Sequence, residues 1–162
     1  MIKLYKVAPD ETRYWETWDN EDGTHTVHWG RLGERGSSKI VKSSFFRKAS
    51  DVIQAEADKV AKEGFRVIDP EDHRILLIEY EIDGGGDSDD LSKRHRLEER
   101  MNETLGWTGL GMCDGGSIGS GTMEVCCIVV DFLAAKSVIE RELEGTEFSN
   151  FARIYDEGSN AD

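Results

Sequence analysis

The sequence predicts an α+β protein built from two domains, and three observations carry that prediction. The hydrophobic period switches repeatedly between the strand value of two and the helical value near 3.6. Charge is divided unevenly: residues 1–68 hold 12 Lys and Arg against 11 Asp and Glu, whereas residues 69–162 hold 8 against 22. The change of charge coincides with Asp69-Pro70-Glu71-Asp72, a polar break in which proline disfavours continued regular structure. The expected division is a domain over 1–68, a linker over 69–73, a second domain over 74–157 and a tail over 158–162.

The N-terminal domain reads as a small antiparallel sheet carrying one helix. Ile2, Leu4 and Tyr5 alternate loosely with lysines as far as Val7-Ala8-Pro9, which predicts a short first strand. Arg13 to Asp19 is rich in aromatics and runs into Asn20-Glu21-Asp22-Gly23, a turn signal that predicts a hairpin. Thr24 to Arg31 continues the alternation, with Val27, Trp29 and Arg31 on one face and Thr26, His28 and Gly30 on the other. Trp15 and Trp18 fall on opposite faces, so at least one of them belongs to the core. After a turn between Gly33 and Gly36, Ser38 to Phe46 predicts a further strand anchored by Ile40 and Val41. From Ala49 to Lys62 the period becomes helical, at Val52, Ile53, Ala57, Val60 and Ala61, with Ser50 or Ala49 at the capping position and Gly64 as the stop. Phe65 to Ile68 predicts a short last strand.

The second domain reads as strand, helix, strand, strand, helix, strand. Arg74 to Ile82 begins apolar on both faces, as a central strand does. Asp83 to Asp90 predicts a loop feeding a helix cap at Asp89 or Asp90. Its acids do not form a calcium loop, because the twelfth residue from Asp83 is Arg94 where an EF-hand needs glutamate. Leu91 to Leu105 is helical by the spacing of Leu97, Met101 and Leu105, and Lys93-Arg94-His95-Arg96 reads as a solvated face pairing with nearby acids. Strands over Trp107–Cys113 and Met123–Phe132 flank a glycine-rich connection over 114–122. That connection lacks the lysine of a P-loop and joins strand to strand, so a hairpin is expected. Ala134 to Leu143 predicts a helix closed by Gly145, and Phe148 to Tyr155 holds the last strand, followed from Asp156 by a fraying tail. The order is that of a ferredoxin-like βαββαβ plait.

Tyr14-Trp15-Glu16-Thr17-Trp18, the Gly23 turn, Trp29-Gly30-Arg31-Leu32-Gly33, Gly36, Lys39 and a helix ending near Gly64-Phe65 give residues 2–68 a second meaning. This stretch resembles a WGR domain, named for its Trp-Gly-Arg signature. The family occurs in poly(ADP-ribose) polymerases, where it helps bind nucleic-acid ends and passes the signal to a neighbouring domain, and in many bacterial proteins. The resemblance implies a non-catalytic binding module with Trp29 and Arg31 at the functional positions.

The chemistry of those residues stands beside the resemblance. An exposed tryptophan offers a flat face for a base or sugar, and base stacking is worth about 1–3 kcal/mol. Arg31 adds a planar, permanently charged fork suited to phosphate, and Arg35, Lys39 and Lys42 would extend the patch. The competing expectation is structural, with Trp29 in the core and Arg31 paired to Glu34 or Asp19. A second candidate surface is Asp114, Ser117, Ser120, Thr122 and Glu124 around the glycine-rich connection.

No nucleophile beside a base, carboxylate pair or metal spacing marks a catalytic or cofactor site, and the chain is expected to be no enzyme and to need no metal or cofactor. Cys113, Cys126 and Cys127 are too few for a disulfide framework and read as reduced thiols. The start of the chain lacks a secretory signal, and no run reaches the roughly eighteen apolar residues of a membrane helix. The expectation is a cytoplasmic protein with DNA or RNA as partner, and no membrane association. The alternative is an adaptor, inhibitor or immunity-type protein whose acidic domain binds a basic protein.

Overall fold

The structure, a computed structural model, describes residues 1–45 and 47–160. The expected strand end at Phe46 and the last two tail residues, Ala161 and Asp162, lie outside the described residues. The chain divides into two compact units, Met1–Asp69 and Pro70–Asp162. The class is α+β, with two four-stranded antiparallel sheets and three helices among the described residues. None of these helices is long and apolar enough to cross a membrane.

In the first unit β1 (Ile2–Val7), β2 (Thr12–Asp19), β3 (Thr24–Arg31) and β4 (Ser37–Lys42) form a meander in sequence order. One face is packed by α1 (Ala49–Lys62): Leu4, Trp15 and Val27 from the sheet meet Ile53 and Ala57 from the helix, with Ile2, Val41, Val60 and Phe65 at the margin. Leu4, Val27 and Ile53 each contribute on the order of 1.5–3 kcal/mol by leaving water. The end of α1 follows from Gly64, whose φ of 101° only glycine adopts without strain. The turn lets Gly64 N–H reach the Ala61 carbonyl and Phe65 N–H reach that of Val60, each at 3.2 Å, so two orphan carbonyls are satisfied and Phe65 folds back onto the core.

Three local expectations need correction here. Neither Ser50 nor Ala49 caps α1: Lys48 is the cap residue, and the Ala49 N–H is met at 3.0 Å by the Ser43 hydroxyl. A serine six residues upstream does the work that local spacing assigned to a neighbour. The strand expected over 65–68 reduces to one bridge, Arg66 with Tyr5. The fourth strand stops at Lys42.

The second unit runs β5 (Arg74–Glu81), α2 (Ser88–Gly106), β6 (Gly111–Gly119), β7 (Thr122–Val129), α3 (Phe132–Leu143) and β8 (Arg153–Asp156), preceded by a 3-10 turn over Pro70–Asp72. The sheet order is β6-β7-β5-β8 with every neighbour antiparallel, so β5 is central as its apolar run predicts. Leu76, Ile78, Tyr80, Met123, Val125, Cys127 and Val129 form a fully buried layer with Leu97, Met101, Leu105, Ile139 and Leu143.

Helix boundaries move for a shared reason: the caps are aspartates just outside the apolar periodicity. Asp87, not Asp89 or Asp90, caps α2 in a reciprocal capping box with Asp90. Asp131 caps α3 by accepting from Ala134 N–H at 2.9 Å, so β7 ends at Val129 and the helix starts at Phe132. Trp107 follows α2 in a turn, and β6 begins only at Gly111. The glycine-rich connection is itself mostly strand. β6 continues through it with a bulge between Cys113 and Gly116, and the hairpin tip is only Ser120-Gly121, both at positive φ. Beyond β8, residues 157–160 form a 3-10 turn where a fraying tail was expected.

Candidate functional site

The Trp-Gly-Arg segment is the end of β3, and its shape is set by the register with β2. Trp15 pairs with Trp29, Tyr14 with Gly30 and Arg13 with Arg31. Strand alternation then sends Arg13, Trp15, Trp29 and Arg31 to the face that carries α1, and Tyr14, Glu16 and His28 to the other.

Gly30 is required by close approach. A Cβ there would lie 2.8 Å from Gly36 Cα and 3.0 Å from the Tyr14 hydroxyl, because the turn after Arg31 folds back over the strand. Gly36 is constrained reciprocally, since its Cβ would run into the Trp29 carbonyl. Gly33 makes the reversal at φ 85°, and Leu32 N–H donates to the Thr12 carbonyl at 2.8 Å.

Tyr14 holds that turn down. Its hydroxyl donates to the Glu34 carbonyl at 3.1 Å and accepts from Gly36 N–H at 3.0 Å. The same oxygen is 3.0 Å from His28 Nε2. His28 Nδ1 lies 2.7 Å from Glu16 Oε1, and Lys3 Nζ lies 3.2 Å from Glu16 Oε2. Tyr14, Glu16 and His28 are all buried, so this is a polar network satisfied from end to end beneath the signature. Burial pushes the Tyr14 phenol up to about 12, the nearby Glu16 and Glu34 carboxylates add to this, and the Gly36 N–H works against it.

On the α1 side, the sheet face runs out past the end of the helix and leaves a groove of about 550 Å³. Its walls include Lys6, Arg13, Trp29 and Arg31 from the sheet, Glu11 from the β1–β2 loop, and Glu63 and Phe65 from the end of α1. Trp29 is 38% exposed, so the expectation that it sits in the core fails, while Trp15 at 4% is core. Among the described residues Arg31 has only loose acidic neighbours, Glu34 at 3.7 Å and Glu11 at 3.9 Å. Asp19 is turned elsewhere, accepting from Glu21 N–H at 2.8 Å.

No family model, curated protein or solved structure matches this chain.

The other expected contacts divide. Lys39 is 5.9 Å from the Trp29 ring centre, but its ammonium is held by Glu56 of α1 at 2.7 and 2.9 Å. Arg35 is exposed in the turn between Gly33 and Gly36. Lys42 does not join them: it pairs with Thr24 at the opposite end of β3, about 23 Å of strand from Arg31 at roughly 3.3 Å per residue. Sequence proximity misled because β4 runs antiparallel, so each step beyond Ser37 moves away from the signature.

The second candidate surface is partly assembled. Ser117 and Glu124 are register partners, the Ser117 hydroxyl donates to Glu124 at 3.0 Å, and the Tyr155 hydroxyl donates to its other oxygen at 2.7 Å. Glu79 and Arg153 continue the row as a two-pronged pair at 2.9 and 2.8 Å, and the Arg153 hydrogen bond holds the Glu79 carboxyl below its usual range. Ser120 and Thr122 sit at the hairpin tip and Asp114 in the bulge, apart from that row. The basic run on α2 is consumed locally: Arg94 pairs with Glu98 at 3.1 Å, Arg96 with Glu147 at 2.7 Å, and Lys93 donates to Asn150 at 2.8 Å.

No group of three or more potential metal ligands occurs among the described residues, and the cysteines are free thiols. What sequence reasoning missed is Glu11, Arg13, Lys6 and the Tyr14–His28–Glu16 network. Counting outward from the Asn20–Gly23 turn sets Asp19 opposite Thr24, one residue short of the observed Asp19–His25 pairing, whose register brings Arg13 opposite Arg31.

Proposed function

We propose that the chain is a non-catalytic binding protein whose first unit is a WGR-like module that recognises nucleic acid, an end or a single strand, through Trp29 and Arg31. The observation that carries this reading is the groove itself, where an exposed indole lies beside three cations, Lys6, Arg13 and Arg31, in a space of about 550 Å³. A base or sugar packs on the indole and phosphate oxygens meet the guanidinium forks. The neutral balance of residues 1–68 makes this a local patch, so binding engages few phosphates and depends modestly on salt. Also supporting the resemblance is the buried network that holds Gly36 over Gly30, since it accounts for the glycines around the signature. For the second unit we propose a ferredoxin-like plait acting as a regulatory or interaction domain, a reading supported by its element order and its sheet order.

The test is a panel of labelled single-stranded, nicked and blunt duplex nucleic acid at two salt concentrations. The expected result is binding that weakens with salt and is lost in the Trp29→Ala, Arg31→Ala double variant. Equal binding by parent and double variant would overturn the reading. One observation favours a second function. Residues 69–162 carry 8 basic against 22 acidic residues, a surface suited to a basic protein partner. Salt-sensitive capture of polylysine by the full chain, unchanged by the double variant, would favour it.

A further inference from the structure

Arg13 and Arg31 are partners across β2 and β3, so two guanidinium groups leave the same sheet face side by side. Like charges so placed repel, and Glu11, at the end of the β1–β2 loop, lies against both. Its Oε1 is 2.6 Å from Arg13 Nε and its Oε2 is 3.9 Å from Arg31 Nε. The carboxylate is tight on one arginine and loose on the other. The guanidinium side chains are 61% and 55% exposed, so neither pair is locked by burial, and ion pairs of this kind hold weakly. The Glu11 main chain has a separate job, accepting from Ala8 N–H at 3.0 Å to close the loop. The side chain can therefore leave without undoing the turn.

We propose that Arg13 is a second guanidinium of the ligand site and that Glu11 is an internal competitor for it. An oxyanion of the phosphate class takes the place of the carboxylate between Arg13 and Arg31, beside Trp29. The proposal rests on the reading of Trp29 and Arg31 as ligand contacts. Its consequence is selectivity. A lone carboxylate offers the two arginines only what Glu11 already supplies at the high effective concentration of a tethered group. Displacement needs more, namely greater charge on the oxyanion or a ring to place on Trp29, so the competitor screens out weak anions.

Glu11→Gln keeps the side chain's length and the loop's backbone hydrogen bond while removing the charge. In a titration with inorganic phosphate, followed at the Nε–H resonances of Arg13 and Arg31, the E11Q protein should saturate at about three- to tenfold lower phosphate than the parent, as expected for removing one nearby charge in a solvated site. Saturation at equal or higher phosphate would overturn the proposal, because Glu11 would then be orienting Arg13 for the ligand. The second arm is a labelled single-stranded oligothymidylate. E11Q should bind it more tightly than the parent, Arg13→Gln less tightly, and the E11Q, R13Q double variant should lose the gain. A positive phosphate arm with no strand binding by any protein retains the anion site and sinks the nucleic-acid reading. Strand binding that is equal in parent, E11Q and R13Q sinks this proposal and leaves Trp29 and Arg31 in place.

Discussion

Gly36 Cα occupies the space into which a Cβ on Gly30 would project, at 2.8 Å, and the Tyr14 hydroxyl closes the same space at 3.0 Å. The middle residue of the Trp-Gly-Arg segment is thus a packing requirement of the turn that follows it. Gly30→Ala should lower the free energy of unfolding by about 1–3 kcal/mol, the usual cost of overpacking. Gly36→Ala should cost more, because its Cβ meets main chain, which cannot rotate away. Urea unfolding of the two single variants and the double variant checks this. The double variant should cost less than the sum, since both changes spoil one contact.

Tyr14→Phe removes the oxygen that serves the Glu34 carbonyl, Gly36 N–H and His28 Nε2. Of these partners only His28 is buried, and losing a hydrogen bond at a buried polar group costs about 1–3 kcal/mol, so the variant should unfold at lower urea. Gly36 N–H should also exchange faster with solvent than in the parent, while Glu16–His28 at 2.7 Å persists. A variant whose Gly36 amide stays as protected as the parent's would show that Tyr14 does not hold the turn.

Much of this was legible in the sequence, and the exceptions have physical causes. Strand alternation placed Trp29 and Arg31 on one face, and Gly64 marked the end of α1, because both signals are local. The caps were misjudged where the capping group came from elsewhere: Ser43 acts across six residues on Ala49, and Asp87 and Asp131 lie outside the apolar periodicity that delimits a helix. Glycine was overread as loop in 114–122, where Gly116 pairs in the strand and must be glycine because a Cβ would run into the Glu124 carbonyl of β7. The site was half visible. The aromatic and arginine of a tripeptide can be read directly, but Glu11 and Arg13 enter only through cross-strand register, and Glu63 and Phe65 only through the end of a helix packed on the sheet.

The groove distinguishes residues that the linear patch did not. Arg31→Ala should weaken single-strand binding and reduce the slope of log affinity against log salt by about 1, as for loss of one phosphate contact. Trp29→Ala should weaken binding by about 1–3 kcal/mol with the slope unchanged, since stacking releases no counterion. Lys42→Ala should do neither, because Lys42 lies opposite Thr24 at the far end of β3. Anisotropy titrations at several salt concentrations separate these outcomes, and a Lys42 variant as weak as the Arg31 variant would refute the placement of the site.

All four tyrosines, Tyr5, Tyr14, Tyr80 and Tyr155, have phenols raised above the ordinary value of 10.0, in each case chiefly by burial. Tyr14 and Tyr155 are pushed up to about 12, Tyr155 with a further contribution from its hydrogen bond to Glu124. The folded protein therefore keeps its phenol protons at a pH where the unfolded chain has released them. A group raised in the folded state contributes stability that is fully present below its unfolded value and is lost as pH rises through its folded value. Stability should accordingly be flat below about pH 9 with respect to these groups and fall from about pH 10 upward. Phenolate absorbance should show no step near the ordinary value while the protein is folded, and a single step there in denaturant. Tyr14→Phe and Tyr155→Phe should each remove one phenol from the displaced transition. A normal step in the folded protein that vanishes in either variant would show that the corresponding phenol is not held by its surroundings.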